Sequence, residues 1–201
     1  MGITDVIVKV NPDLTGLPDP WRYETLAKIV GRLADAGLKV VGLEGDPFDM
    51  TPIKNFGEQG TGIGDREEAL AHYRELLESM ARMGIKLLCY NFMVGKGGGA
   101  RTGVREGCGG AKATFFSLFT PLCGAAPSAG ANSTCSTRLK LNAEQVWANY
   151  EYFIKSVMPT AEKCGVRMGL HPDDPCLPSL GGYARIFGSV EAYDRAYALY
   201  P

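Results

Sequence analysis

Three joints in this chain follow one pattern, and that pattern limits the folds open to it. They read Ala36-Gly37-Leu38-Lys39-Val40, Met83-Gly84-Ile85-Lys86-Leu87 and Cys164-Gly165-Val166-Arg167-Met168. In each, a helix-like stretch stops at a glycine, the residue that most readily ends a helix in the left-handed conformation. One apolar residue, one basic residue and a short apolar run follow. Runs this short, bounded by turn-formers, read as buried strands. Each run ends on a polar side chain: Glu44, Asn91 or His171. Repeated helix-to-strand units with apolar strands predict a parallel sheet and place those three polar residues along one edge of it. In barrels of alternating strands and helices, that edge carries the ligands and the chemistry.

Strands are predicted at about 5–10, 38–43, 85–90 and 166–170. The first helix spans about 21–36, with Leu26, Ile29, Val30 and Leu33 on one face. The second starts after Asp65, with Glu68 in capping-box spacing, and presents Leu70, Tyr73, Leu76, Leu77 and Met80 to the core. The third starts at Asn142 with Gln145 in the same spacing. Its apolar face is Val146, Tyr150, Phe153, Ile154 and Val157, and Pro159 is expected to kink or interrupt it. Ser189–Leu199 begins a fourth helix. The stretch from Gly45 to Gly64 reads as a polar connection. Residues 93–141 break the pattern and are read as a partly mobile, Gly-rich excursion at the catalytic edge, because structureless segments of this length are functional or disordered. Residues 1–201 make a single domain of four strand-helix units, whereas a full eightfold barrel takes about 250 residues. The expected fold is therefore α/β, an incomplete (β/α)8 TIM barrel.

A net charge of −1 and the absence of a basic stripe argue against nucleic acid as a partner. No apolar run approaches the roughly 18 residues of a membrane span, and the N-terminus has no signal-peptide pattern. The six cysteines form no C-x-x-C pair, so reduced thiols in a cytoplasmic protein are expected.

The chemistry-bearing stretch is Gly169-Leu170-His171-Pro172-Asp173-Asp174-Pro175, which holds one of only two histidines. His171 is either a metal ligand at a strand exit or a core histidine before a solvated turn, with the residue types alone favouring neither. The other histidine, His72, reads as a surface helix residue. Glu44 is either a ligand to a metal or hydroxyl or a loop acid, and Cys89 reads as a buried apolar residue. Gly95–Gly99 lacks the pattern of a phosphate-binding loop.

Several strings together resemble the mannonate dehydratase family. They are Glu44-Gly45-Asp46-Pro47-Phe48-Asp49-Met50, Leu88-Cys89-Tyr90-Asn91-Phe92-Met93, Arg101-Thr102, Gly109-Gly110-Ala111, Gln145–Phe153 and His171-Pro172-Asp173-Asp174-Pro175. The resemblance implies the barrel of the xylose-isomerase-like enzymes and a lyase reaction, the dehydration of D-mannonate to 2-dehydro-3-deoxy-D-gluconate in hexuronate breakdown. It also implies a divalent cofactor, Mn2+ or Fe2+, and a homo-oligomer for the full-length family. By the same resemblance His171 is a metal ligand; ligand histidines need a partner that orients them, and Asp173 and Asp174 are placed for that role, with a cap on the following turn as the alternative for one of them. Asn91, Arg101 and Arg185 lie on the substrate side, where a guanidinium suits a sugar-acid carboxylate. The family's other metal ligands and its acid-base groups fall in later units, beyond Pro201, so no catalytic residue is assigned. The chain departs from the family at Gly97-Gly98-Gly99-Ala100, at Ser117, at Cys176 and around Arg185. A sugar isomerase or epimerase of the same superfamily and a non-catalytic fragment are the alternatives.

Overall fold

In a computed structural model, which describes residues 2–10, 17, 19–58, 64–95, 101–117 and 140–201, the three glycine joints are built alike. Gly37, Gly84 and Gly165 all have positive φ (76°, 72° and 62°). Each glycine N–H donates to the carbonyl three residues back, to Ala34, Ala81 and Glu162. The next residue donates to the carbonyl five back, Leu38 to Leu33, Ile85 to Met80 and Val166 to Ala161. This double closure satisfies the helix's last carbonyls, and an apolar residue commonly follows the glycine in it. The single apolar residue of each joint is that one. The chain then enters a strand with no further turn.

The elements are β1 (Asp5–Lys9), α1 (Tyr23–Asp35), β2 (Lys39–Glu44), α2 (Thr51–Lys54), α3 (Arg66–Arg82), β3 (Leu87–Asn91), β4 (Gly103–Glu106), β5 (Lys112–Phe115), α4 (Ala143–Cys164), β6 (Arg167–His171), β7 (Ser179–Leu180), β8 (Tyr183–Ala184) and α5 (Val190–Leu199). β1, β2, β3 and β6 form one parallel sheet in that order. The fold is thus α/β with a parallel sheet, as the joints predict. Along β3, Leu88 and Tyr90 are buried, while Leu87, Cys89 and Asn91 alternate with them on the other face.

The core lies between the sheet and the helices and is aromatic at its centre. Phe153 of α4 meets Tyr73 edge-on at 4.9 Å and packs against Phe92 at 5.6 Å and Tyr90 at 5.8 Å. The apolar faces predicted for the second and third helices are all buried. Asn142 and Gln145 form a reciprocal capping box at the start of α4 (both 2.9 Å). Asp65 caps α3 by accepting from the N–H groups of Glu67 and Glu68.

Four features correct the sequence reading. Pro159 does not interrupt α4, which runs unbroken for 22 residues. The capping box, the glycine stop and the burial of Val157 and Ala161 on either side hold the helix through the missing N–H. The Gly45–Gly64 connection contains α2, started by Asp49, whose carboxylate accepts from the Thr51 N–H at 2.9 Å. Two small antiparallel hairpins also appear, β4–β5 inside the 93–141 excursion and β7–β8 after the His171 loop. Residues 96–100 and 118–139 of that excursion lie outside the described residues. Finally, His72 is half-buried rather than a surface residue: its ring stacks on Trp21 at 3.9 Å, with Phe48 edge-on to both. Among the described residues, no helix is long and apolar enough to cross a membrane.

Phe153→Ala removes the ring on which three others converge, and a large-to-small change at a fully buried aromatic costs about 3–5 kcal/mol. Urea denaturation of the variant is expected to show a loss of that size; a loss under about 1 kcal/mol would contradict this packing.

Candidate functional site

The polar ends of the four parallel strands share one cavity of about 470 Å³ at the sheet's C-terminal edge. Lys9, Glu44, Asn91 and His171 supply the strand ends, while loops add Asp46, Arg101 and Asp174. The register explains the convergence: Lys9 pairs with Glu44, Glu44 with Cys89, and Asn91 with His171. Residues paired across parallel strands point to the same face, so all of these turn away from the helices.

Asn91 is held on its oxygen side. Its Oδ1 accepts from Lys54 Nζ at 2.9 Å and from the Met93 N–H at 3.2 Å. The Lys54 ammonium also donates to both carboxylate oxygens of Asp46, at 2.8 and 2.6 Å. Its side chain is 4% exposed, against 37% for that of Asp46. Burial pulls the Lys54 pKa below the usual lysine range, and Asp46 offsets part of that. α2 is fixed from behind by Asn149 of α4, which donates to the carbonyls of Lys54 (3.1 Å) and Phe56 (2.9 Å).

Arg101 reaches from the β4–β5 hairpin to the loop after β6. Its two terminal nitrogens donate to the two oxygens of Asp174 at 3.2 and 2.6 Å, and its Nε donates to Thr114 Oγ1 at 3.3 Å. A paired guanidinium-carboxylate fork of this kind fixes orientation as well as position. His171 is exposed at the cavity, and its Nδ1 lies 2.6 Å from the Pro172 carbonyl. A carbonyl only accepts, so Nδ1 is the donor in this contact and Nε2 is the nitrogen left for the cavity.

Two expectations about this loop are corrected. Asp173 and Asp174 do not orient His171; the Pro172 carbonyl does. Asp174 is engaged by Arg101. Asp173 turns inward, where its Oδ2 accepts from the Phe187 N–H at 2.6 Å and its Oδ1 lies 3.4 Å from Arg185. Arg185 is the second correction: its side chain and that of Asp173 are each 2% exposed, and Arg185 does not line the cavity. Burial pulls the Arg185 pKa down, and Asp173 counters it. Cys89 is half-buried and lines the cavity, rather than sitting in the core. Asn91, Arg101 and His171 are brought together.

Lys54 and Glu58 carry much of this architecture, and the sequence reading passed over both. The Glu58 carboxylate accepts from Tyr183 Oη and Asn55 Nδ2, both at 2.8 Å, with Lys140 Nζ at 3.5 Å. Asn55 Oδ1 in turn accepts from the Gly95 N–H at 3.2 Å, which ties the loop after β3 to α2. Burial pushes the Glu58 pKa up, but the hydrogen bonds from Asn55 and Tyr183 and the charge of Lys140 outweigh it and hold the carboxyl below its usual range.

The donors present do not make a metal site by themselves. Among the described residues, no three His, Cys, Asp or Glu side chains converge as a bound cation requires.

The family model for D-mannonate dehydratase (UxuA) matches residues 2–120 and 131–200. The chain is 31% identical over 196 residues to a mannonate dehydratase of Streptococcus pneumoniae (strain 70585), covering 90% of this chain and 51% of that protein. It is 30% identical over 196 residues to one from Streptococcus suis (strain 05ZYH33), with the same coverage. The crystal structure of mannonate dehydratase from Streptococcus suis serotype 2 matches with a TM-score of 0.73 at 27% identity, over 98% of this chain and 52% of that one. The chain therefore spans about half the length of the curated relatives it matches.

The lowered Glu58 pKa has a direct consequence for stability. A carboxyl whose folded pKa is depressed adds stability that is fully present above its unfolded value, near 4.5, and is lost as pH falls through the lower folded value. Urea midpoints are expected to drop more steeply on acidification for the wild type than for Glu58→Gln. Parallel pH profiles would contradict the assignment.

Proposed function

We propose that this chain, which belongs to the D-mannonate dehydratase family, supplies the N-terminal side of a site that dehydrates D-mannonate to 2-dehydro-3-deoxy-D-gluconate in hexuronate breakdown. The convergence of Asn91, Arg101 and His171 on one cavity carries the proposal. In this reading Arg101, held on one side by Asp174, offers the remaining N–H donors of its terminal nitrogens to the carboxylate of the sugar acid. Asn91 receives a hydroxyl. Removal of the proton beside the carboxylate and loss of the 3-hydroxyl then take place with the substrate lying across the strand ends.

His171 offers one Nε2 lone pair to the divalent cation, Mn2+ or Fe2+, that the family resemblance implies. The rest of the ligand set comes from outside the described residues, since those present do not complete it. Residues 1–201 are read as one partial barrel domain. The sheet order, with β1 and β6 at its two edges, supports that reading, because further parallel strands added there would continue the sheet toward closure. The complete enzyme is read as a cytoplasmic homo-oligomer with a sugar acid, not a nucleic acid or membrane, as its partner.

Calorimetric titration of the purified chain with D-mannonate tests the central assignment. Arg101→Met is expected to weaken binding about tenfold, the cost of losing a charge-assisted pair, while leaving any response to neutral D-mannitol unchanged. Equal affinity in wild type and variant would overturn the placement of the carboxylate.

A further inference from the structure

The Asn91 amide is not free to choose which end it shows the cavity. Two donors, Lys54 Nζ and the Met93 N–H, already occupy its oxygen. What remains for a ligand is the NH2 end, so Asn91 offers donors and no acceptor. Asp46 is fixed in the complementary sense. Both of its oxygens accept from the same ammonium, and Oδ1 also accepts a long bond from Asn91 Nδ2 at 3.4 Å, which leaves the second N–H of that amide for a ligand. A carboxylate has about four lone-pair sites, and this one lines the cavity with over a third of its side chain exposed, so it keeps accepting capacity on the cavity side.

Lys54 itself is buried and does not line the cavity. Its three N–H donors meet three acceptors, the two Asp46 oxygens and Asn91 Oδ1, leaving it nothing to give a ligand. It acts through its neighbours. Replacing it by an apolar side chain would leave the Asn91 oxygen held by the Met93 N–H alone and Asp46 with one weak internal partner.

We propose that Lys54 is a positioning residue that locks Asn91 as donor and Asp46 as acceptor, and that this pair binds a hydroxyl of a polyol chain. A hydroxyl both donates and accepts, so a single group satisfies both partners. A carboxylate only accepts; at this point it would meet the Asp46 carboxylate, in a cavity that Glu44 also lines, and be repelled. The pair therefore fixes which end of an acidic sugar lies here, the hydroxyl-bearing end, with the acid directed to Arg101. This rests on the sugar-acid reading of the cavity and adds Asp46 and Lys54 to it.

The test is nuclear magnetic resonance of the 15N-labelled full chain, following the Asn91 side-chain amide and the Arg101 Nε–H. In wild type the Asn91 NH2 is expected to give two resolved, slowly exchanging protons that shift on adding D-mannonate or D-mannitol. Lys54→Met is expected to collapse that pair toward solvent-exposed values and weaken D-mannitol binding about tenfold, with the backbone amides of α4 and the sheet unmoved. Asp46→Asn, a substitution at a partly exposed position, is expected to keep the fold and lose the hydroxyl response; it carries the test alone if Lys54→Met does not fold. An Asn91 signal and ligand response unchanged in these variants would overturn the proposal. D-mannonate that shifts Arg101 but not Asn91 would overturn it while leaving the sugar-acid reading intact. Shifts at neither residue would overturn both.

Discussion

A helix that must hand its chain back into a parallel sheet has to stop sharply, satisfy its last carbonyls and leave the next residue pointing at the core. In this protein a left-handed glycine followed by an apolar residue gives the sharp stop and the carbonyl closure at Gly37-Leu38, Gly84-Ile85 and Gly165-Val166, and Ile85 and Val166 are buried in the core. Everything downstream inherits the phase set there. β2, β3 and β6 each begin within two residues of the apolar anchor, and their registers pair Glu44 with Cys89 and Asn91 with His171 near the far edge of the sheet. Glu44, Asn91 and His171 meet at the cavity because three helices end the same way.

Below that edge, charge is used to fix geometry more than to add stability. Lys54 with Asp46, and Arg185 with Asp173, each bury a cation against a carboxylate. Taking both charges of such a pair from water costs about as much as their attraction returns, so the net gain in stability is small. What the pairs do provide is direction. Lys54 dictates the faces of Asn91 and Asp46. Arg185 and the Phe187 N–H draw Asp173 inward, which leaves its neighbour Asp174 on the cavity side, where Arg101 meets it.

The elements that could be read from sequence are those whose signal is local. Glycine stops, the Asn142–Gln145 capping box and the apolar faces of α3 and α4 depend on spacings of one to four residues. The small β7–β8 hairpin was also legible in principle: Gly181-Gly182 both take positive φ, as a two-residue hairpin turn requires. β4–β5 was not, because it is largely exposed and carries no apolar alternation. The site residues divide the same way. Strand ends were found because the strands were found. Lys54 was not, since the side chain that fixes its backbone carbonyl, Asn149, lies 95 residues away in the chain. Asp173 was given to His171 on adjacency alone, whereas its true partners, Arg185 and Phe187, arrive only when β8 folds back beside the loop. No count of nearby residues could have told these apart.

The central claim is that the strand-exit edge holds an acidic sugar in one orientation. A crystal structure of the chain soaked with D-mannonate addresses it most directly. The account predicts density in the cavity with the carboxylate against Arg101 and a hydroxyl between Asn91 Nδ2 and Asp46. A ligand bound with its carboxylate at Asn91, or seated away from the strand ends, would contradict it.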